Sequence, residues 1–282
     1  MAQLQLALPK GRMHDKVVKL LDDAGVELRV SPRGYRPTVS LADVETKILK
    51  PQSIVEMVHA GTRDLGFAGA DWVAELEADV VEVLDTRLDP VRVVAAAPVD
   101  MLVDGQLPDR PLVVASEYMR LTKAWVRPQD RVIRSYGATE VLPPEDADCI
   151  VDNTATGSTL RANNLQIVGE LMRSSTRLIA SAGAMKDPSK RARIEELALM
   201  LSAVIDARTR VMVEVNVAPE ALENLLEVLP SMRQPTVAEL ARGSGFAVRA
   251  AIPRNELATV VPRLKSVGGT DIVWTEIAGI VP

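Results

Sequence analysis

Cysteine occurs once in 282 residues, as Cys149, so neither an internal disulfide nor a cysteine-built zinc cluster can form. Histidine occurs twice, as His14 and His59, too few imidazoles for a histidine metal site. Aromatics make up only 3% of the chain, which argues against a base-stacking nucleic-acid platform. A basic excess is missing as well: the formal net charge is −5, whereas DNA and RNA binders carry a basic face. No apolar run reaches the ~20 residues of a membrane span, and the first residues lack the long apolar core of a signal peptide. The expectation is a cytoplasmic protein with neither nucleic acid nor membrane as partner. An anionic substrate remains compatible if basic residues gather locally. What is present, 47% hydrophobic and 25% charged residues, suits a soluble chain long enough for two or three domains.

The stretch that organises the chain is 148–160, Asp-Cys-Ile-Val-Asp-Asn-Thr-Ala-Thr-Gly-Ser-Thr-Leu. Residues 149–151 read as a buried strand that ends in an acid, Asp152. The loop Asn153, Thr154, Ala155, Thr156, Gly157, Ser158, Thr159 is built of small and hydroxyl side chains. Small residues let backbone N–H groups converge on an anion, and glycine permits angles that other residues resist. A helix starting near Thr159 would add its dipole. Asp152 would then face a ribose hydroxyl or a hydrated magnesium ion. The same residues also make an ordinary strand-to-helix turn. The spacing is neither a P-loop nor a Rossmann fingerprint.

Other stretches carry weaker signals. A strand at 4–8 gives way to Pro9-Lys10-Gly11-Arg12 and then to a helical pattern through Val17, Val18, Leu20 and Leu21. A cationic turn between strand and helix suits an anion site at a strand's carboxyl end, or is simply a loop with solvated Lys10 and Arg12. Residues 26–30 read as a strand before the turn-rich, basic segment 31–37. Lys50 precedes a helix with Pro51 near its first position. In 65–72, Leu-Gly-Phe-Ala-Gly-Ala-Asp-Trp, glycine within a buried strand signals close approach of a backbone or ligand, and Asp71 is a ligand candidate or a helix N-cap. His14 and His59 read as helix-surface residues. Strands at 80–84 and 91–97, a proline-rich connection at 98–111, and a second strand–helix–strand series up to 135 follow. Two successive α/β units predict a bilobal, periplasmic-binding-protein-like body. Beyond a helix at 190–207 the pattern becomes β-α-β-β-α-β, at 210–217, 220–229, 236–240, 246–252, 255–264 and 271–277. That order is the ferredoxin-like plan, a module that commonly pairs with copies of itself.

The loop and its preceding acid resemble the phosphoribosyl-pyrophosphate (PRPP) loop of phosphoribosyltransferases. The longer run from Gly137-Ala138-Thr139-Glu140-Val141 through Asn164-Leu165 resembles the ATP phosphoribosyltransferase family, which opens histidine biosynthesis. The similarity spans nearly the whole chain, including the C-terminal extension of that family's long form. It implies an α/β bilobal catalytic domain at 1–207, with lobe I about 1–97 plus a return at 165–207 and lobe II about 98–164. It further implies a ferredoxin-like (ACT-like) regulatory domain at 208–282. The implied reaction transfers the 5-phosphoribosyl group of PRPP to N1 of ATP, releasing pyrophosphate with Mg2+ as cofactor.

The implied PRPP residues are Asp152 through Thr159, with Asp152 also reaching the metal. Lys10, Gly11, Arg12, Lys50, Gly69, Asp71 and Glu140 fall to ATP and catalysis. Thr236 and Thr270 match the polar lining of a site for the inhibitor L-histidine, between subunits of a homohexamer in equilibrium with dimers. Two departures stand out: Lys50 replaces a frequent arginine and cannot form its bidentate fork, and Phe67-Ala68 replace residues that are often aliphatic and threonine. A non-catalytic small-anion sensor with an effector domain is the alternative. A nucleobase phosphoribosyltransferase ranks lower, because its loop follows two adjacent acids.

Overall fold

The first apolar run, Leu4–Pro9, is almost wholly buried because parallel strands flank it on both sides. It belongs to a five-stranded sheet ordered Val44–Leu49, Leu4–Pro9, Leu65–Gly69, Thr176–Ser181, Val80–Asp85. The first three strands are parallel, and Thr176–Ser181 runs antiparallel to both its neighbours. The helix Pro51–His59 buries Ile54, Val55 and Val58 against Ala7, Ala68 and Ile179 of this sheet. The computed structural model describes residues 3–29, 34–232 and 234–281. Its two compact units are Met1–Ala198 and Leu199–Pro282, dividing inside the helix Pro188–Ala207.

A second sheet of the first unit is ordered Leu165–Ser174, Val91–Pro98, Cys149–Thr154, Val113–Ser116, Arg131–Arg134. The run Val91–Pro98 is apolar apart from Arg92, without alternation, because both its faces are covered. Val93, Ala95 and Ala97 meet Leu112 and Tyr118, while Val94 and Ala96 meet Leu160 and Leu165. The chain passes between the sheets twice, at residues 86–90 and at Ser175. The two crossings lie side by side: Thr86 Oγ1 donates to Thr176 O at 2.7 Å, and Thr176 N donates to Leu88 O at 2.9 Å.

These crossings lie outside the expected lobe limits of 97 and 165. Val91–Pro98 and Leu165–Ser174 both belong to the second sheet. The apolar pattern shows that a strand is buried but not which sheet it joins, and both strands pair with each other in an antiparallel ladder. Val30, Ser31, Pro32 and Arg33 lie outside the described residues, as does Arg233. The strand expected at 26–30 is described as Leu28–Arg29, paired with Thr38–Val39.

In the second unit, four antiparallel strands are ordered Thr236–Glu239, Phe246–Pro253, Arg210–Val217, Thr270–Glu276. With the helices Leu222–Val228 and Leu257–Ser266, this is the ferredoxin-like plan. Alternation decides which face is buried: Val211, Val213, Val215 and Val217 meet Leu225, Val260 and Leu264 in one core. Among the described residues, no helix is long and apolar enough to cross a membrane.

Candidate functional site

Cys149–Thr154 is a central strand, so its carboxyl end delivers Asp152 and Asn153 to the rim of the second sheet. The chain then turns through Gly157, whose φ of +74° is a left-handed conformation that glycine adopts without strain. Gly157 N donates to Thr154 Oγ1 at 2.9 Å, and Thr156 Oγ1 donates to Ser158 Oγ at 3.0 Å. Ser158 N also donates to Thr156 Oγ1 at 3.4 Å and Asn153 N to Asp152 Oδ1 at 2.7 Å, so three loop amides are committed locally, while the exposed hydroxyls of Thr156, Ser158 and Thr159 remain at the loop's surface. The helix that follows, Ser158–Ala162, has only five residues, so its dipole is a minor contributor. Asp152, Asn153, Thr154, Ala155, Thr156, Ser158 and Thr159 line a pocket of about 280 Å³ with Arg12 and Glu140. Burial pushes the Asp152 carboxyl up to about 6; Asn153 N and Arg12 oppose the rise, and Glu117 and Glu140 add to it.

A second pocket, about 160 Å³, shares Arg12 and Asn153 with the first. Lys10, Gly69 and Asp71 also line it, together with Asp89, Ser174, Ser175 and Thr176 from the two crossings. Lys10 and Arg12 are exposed cations, and Lys10 Nζ donates to Tyr35 Oη at 3.2 Å while lying 5.1 Å from that ring's centre. Gly11 sits at φ +83° in the turn that separates them. Lys50 lines neither pocket. It joins Trp72, Glu117, Arg134 and Tyr136 around a third space of about 300 Å³, while the adjoining Pro51 reaches the second pocket.

Asp71 is not the N-cap of the helix it enters. Gly69 occupies the cap position of the helix Ala70–Glu75, and both Asp71 carboxylate oxygens have protein partners. Ser174 Oγ donates to Oδ1 at 2.7 Å, and Tyr118 Oη donates to Oδ2 at 2.6 Å. Asn153 Nδ2 in turn donates to Tyr118 Oη at 2.9 Å, so one hydrogen-bonded chain joins the first sheet to the loop rim of the second. Burial and the Asp71 charge hold the Tyr118 phenol far above its ordinary pKa, which keeps it a donor. Trp72 stacks on Tyr118 with centroids 4.7 Å apart. A Cβ at Gly69 would come within 2.1 Å of Asp71 Oδ1, so the glycine makes room for this carboxylate. Nearby, buried Glu75 accepts from Arg120 N at 2.8 Å and Leu121 N at 3.0 Å, a second link between the lobes.

Ser174, Asp89 and Thr176 line the second pocket, and Tyr118 holds Asp71 and Asn153 beside it, although the sequence singled out none of the four. Tyr118 carried one usable signal, a hydroxyl-bearing aromatic two residues after the strand Val113–Ser116; Ser116 Oγ accepts from its backbone N–H at 2.8 Å. The effector candidates are exposed and lie apart: Thr236 begins one edge strand of the second unit's sheet, Thr270 the opposite edge. Thr270 Oγ1 donates to Asn216 O at 3.3 Å.

Residues 50–203 match the family described as ATP phosphoribosyltransferase, and residues 207–279 match the family described as HisG, C-terminal domain. An ATP phosphoribosyltransferase from Pelotomaculum thermopropionicum is 35% identical, across 99% of this chain and 100% of that protein. One from Chlorobium phaeovibrioides is 36% identical, across 99% and 97%. Among solved structures, the ATP phosphoribosyl transferase (HisG:HisZ) complex from Thermotoga maritima includes a chain that superposes with a TM-score of 0.61 at 25% identity. That alignment covers 71% of this chain and 99% of that one.

Proposed function

The chain belongs to the ATP phosphoribosyltransferase family and catalyses the first step of histidine biosynthesis, and from that premise we propose which residues carry the reaction. The observation that carries the assignment is the pocket of about 280 Å³ in which Asp152 and the hydroxyls of Thr156, Ser158 and Thr159 face Arg12. In this reading the loop 153–159 holds the 5-phosphate of PRPP, and Asp152 accepts from the ribose hydroxyls. Lys10 and Arg12 stabilise the charge that gathers on departing pyrophosphate, and the adjoining pocket presents the adenine of ATP. Adenine N1 displaces pyrophosphate at ribose C1 with inversion. Positioning and cationic stabilisation of the leaving group supply the acceleration, so no side-chain nucleophile is required.

The reaction uses a divalent metal. Among the described residues, no group of three or more His, Cys, Asp or Glu could hold one as a protein-caged ion. The donor set fits an ion that arrives on the substrate's phosphates, as Mg2+ characteristically does, with Asp152 as the protein's oxygen ligand. When bound, it would neutralise charge on the pyrophosphate.

The ferredoxin-like unit is assigned to feedback control by L-histidine. Thr236 and Thr270 sit on opposite edges of one sheet, so a second copy would be needed to bring them to a common site; the reading includes a homo-oligomer, a hexamer in equilibrium with dimers. The non-catalytic sensor is not favoured, because similarity to enzymes runs through both units. Incubation with ATP, PRPP and Mg2+ tests the assignment. Pyrophosphate and N1-(5-phosphoribosyl)-ATP are expected in equal amounts, and PRPP binding that is lost in Asp152→Ala. Turnover with unchanged PRPP affinity in that variant would reassign the loop.

A further inference from the structure

The shape of the loop turns on one peptide unit, between Thr156 and Gly157. Glycine takes left- and right-handed angles at similar cost, so the residue that permits the turn at φ +74° also permits this peptide to flip. Both of its polar ends are held. Gly157 N donates to Thr154 Oγ1 at 2.9 Å, from within the loop. On the other side Thr156 O accepts from Arg161 Nη1 at 3.1 Å, from the helix Ser158–Ala162 that follows. A flip would break both bonds and exchange the directions of carbonyl and N–H.

Arg161 is absent from the walls of the loop pocket, whereas Thr154, Thr156, Ser158 and Thr159 are among them. Its guanidinium lies against Gly157 instead, where an added Cβ would stand 3.1 Å from Nη1 and 4.0 Å from Cζ. The side chain is launched from a fixed base: Arg161 N donates to Gly157 O at 3.1 Å, and the preceding Leu160 is buried in the core with Val94, Ala96 and Leu165. Resting on the function proposed above, we infer that Arg161 is a positioning residue, which holds the Thr156–Gly157 peptide so that the loop is already shaped for the 5-phosphate of PRPP. It does so without touching the substrate. The hydroxyls of Thr156, Ser158 and Thr159 are then set before PRPP arrives, and binding is spared the entropic cost of ordering them. Once PRPP is bound, the loop has the same shape with or without Arg161. Its removal therefore weakens binding and leaves the bond-making step alone. Because the side chain is exposed, the effect on global stability is small.

The test is steady-state kinetics and calorimetric PRPP titration of the full chain carrying Arg161→Met, which keeps an unbranched stem and removes the donor. Kd and KM for PRPP are expected to rise about 3- to 10-fold, the range for one hydrogen bond. In the same variant kcat and KM for ATP should stay within about twofold of wild type. Arg161→Ala carries the same expectation and serves if Arg161→Met does not fold. One nitrogen carries the bond to Thr156 O, so Arg161→Lys should bind PRPP within about threefold of wild type. Raising the salt from about 0.05 to about 0.5 M separates position from long-range attraction: the ratio of variant to wild-type Kd should persist, because screening removes only interactions over distance. Unchanged PRPP affinity in folded Arg161→Met or Arg161→Ala would overturn the inference. So would a defect that vanishes at high salt, one confined to kcat, or no recovery in Arg161→Lys. A wild-type chain that does not bind PRPP would instead refute the function itself; wild-type turnover with an unaffected Arg161→Met refutes only this role.

Discussion

Tyr118→Phe isolates one of the contacts that join the lobes. The substitution keeps the ring, and with it the stacking on Trp72 at 4.7 Å, but removes the hydroxyl. That hydroxyl donates to Asp71 Oδ2 at 2.6 Å and accepts from Asn153 Nδ2 at 2.9 Å. Asp71 is 5% exposed, so water cannot readily replace the lost donor. A hydrogen bond to a buried charged group is worth about 1.5–3 kcal/mol, whereas the half-buried Asn153 amide can turn toward solvent at a cost of at most about 1 kcal/mol. The expected loss is about 2–3 kcal/mol, read as a shift in urea midpoint at constant slope. For a body of this size, that corresponds to a fall in Tm of roughly 4–12 °C. Because Asn153 also lines the PRPP-loop pocket, PRPP affinity should fall with stability. Asp71→Asn and the double variant complete a cycle, and a coupling above about 0.5 kcal/mol is expected for partners in direct contact. A loss below about 0.5 kcal/mol with unchanged PRPP affinity would show that the lobes do not depend on this bond.

Gly157→Val should remove PRPP binding at a global cost of about 1–2 kcal/mol, because a left-handed φ strains a branched residue; near wild-type affinity in the folded variant would sink the loop assignment. The strain acts by displacing the loop, since an added Cβ would meet Arg161 Nη1 at 3.1 Å rather than enter the pocket. Lys10→Ala and Arg12→Ala should each lower turnover tens-fold or more in steady-state assays, and unchanged turnover in both would take the cationic turn out of the active site. L-histidine should inhibit the full chain, and a form ending near Ala207 should lose that sensitivity; equal inhibition of an active truncation would put the effector site elsewhere. The coupling expected is roughly 1–3 kcal/mol.

Legibility in the sequence followed the range of the interactions. The small-residue loop at 153–159 could be read because its turn chemistry is local, and the six-element pattern after residue 210 could be read because alternation at Val211, Val213, Val215 and Val217 encodes one buried face. The partners that hold Asp71 could not be read, because Ser174 and Tyr118 are 103 and 47 residues away, beyond any local pattern. Asp89 and Thr176 gave no signal because an aspartate after a proline-free turn or a threonine at a strand start is unremarkable until both crossings bury them together. The exchange of Val91–Pro98 into the second sheet was hidden for a related reason: strand pairing is set by the whole sheet, and period-two patterning reports only faces.

The cysteine and the two histidines fit the direct displacement proposed above. Cys149 is fully buried and burial pushes its thiol up to about 12, so it offers no thiolate. A serine or threonine nucleophile needs an adjacent base, and both imidazoles are engaged away from the loop. His14 Nδ1 donates to Pro9 O at 3.0 Å, and His59 Nδ1 accepts from Asp79 N at 2.9 Å. What the cleft does supply is two pockets meeting at Arg12 and Asn153, one with hydroxyls and an acid, the other smaller and walled by both charged and apolar side chains. Inversion at ribose C1 needs the entering nitrogen and the leaving oxygen on opposite faces of one carbon. In the proposed reading, two compartments with a common wall meet that demand through placement, and the cations at Lys10 and Arg12 stabilise the charge that departs.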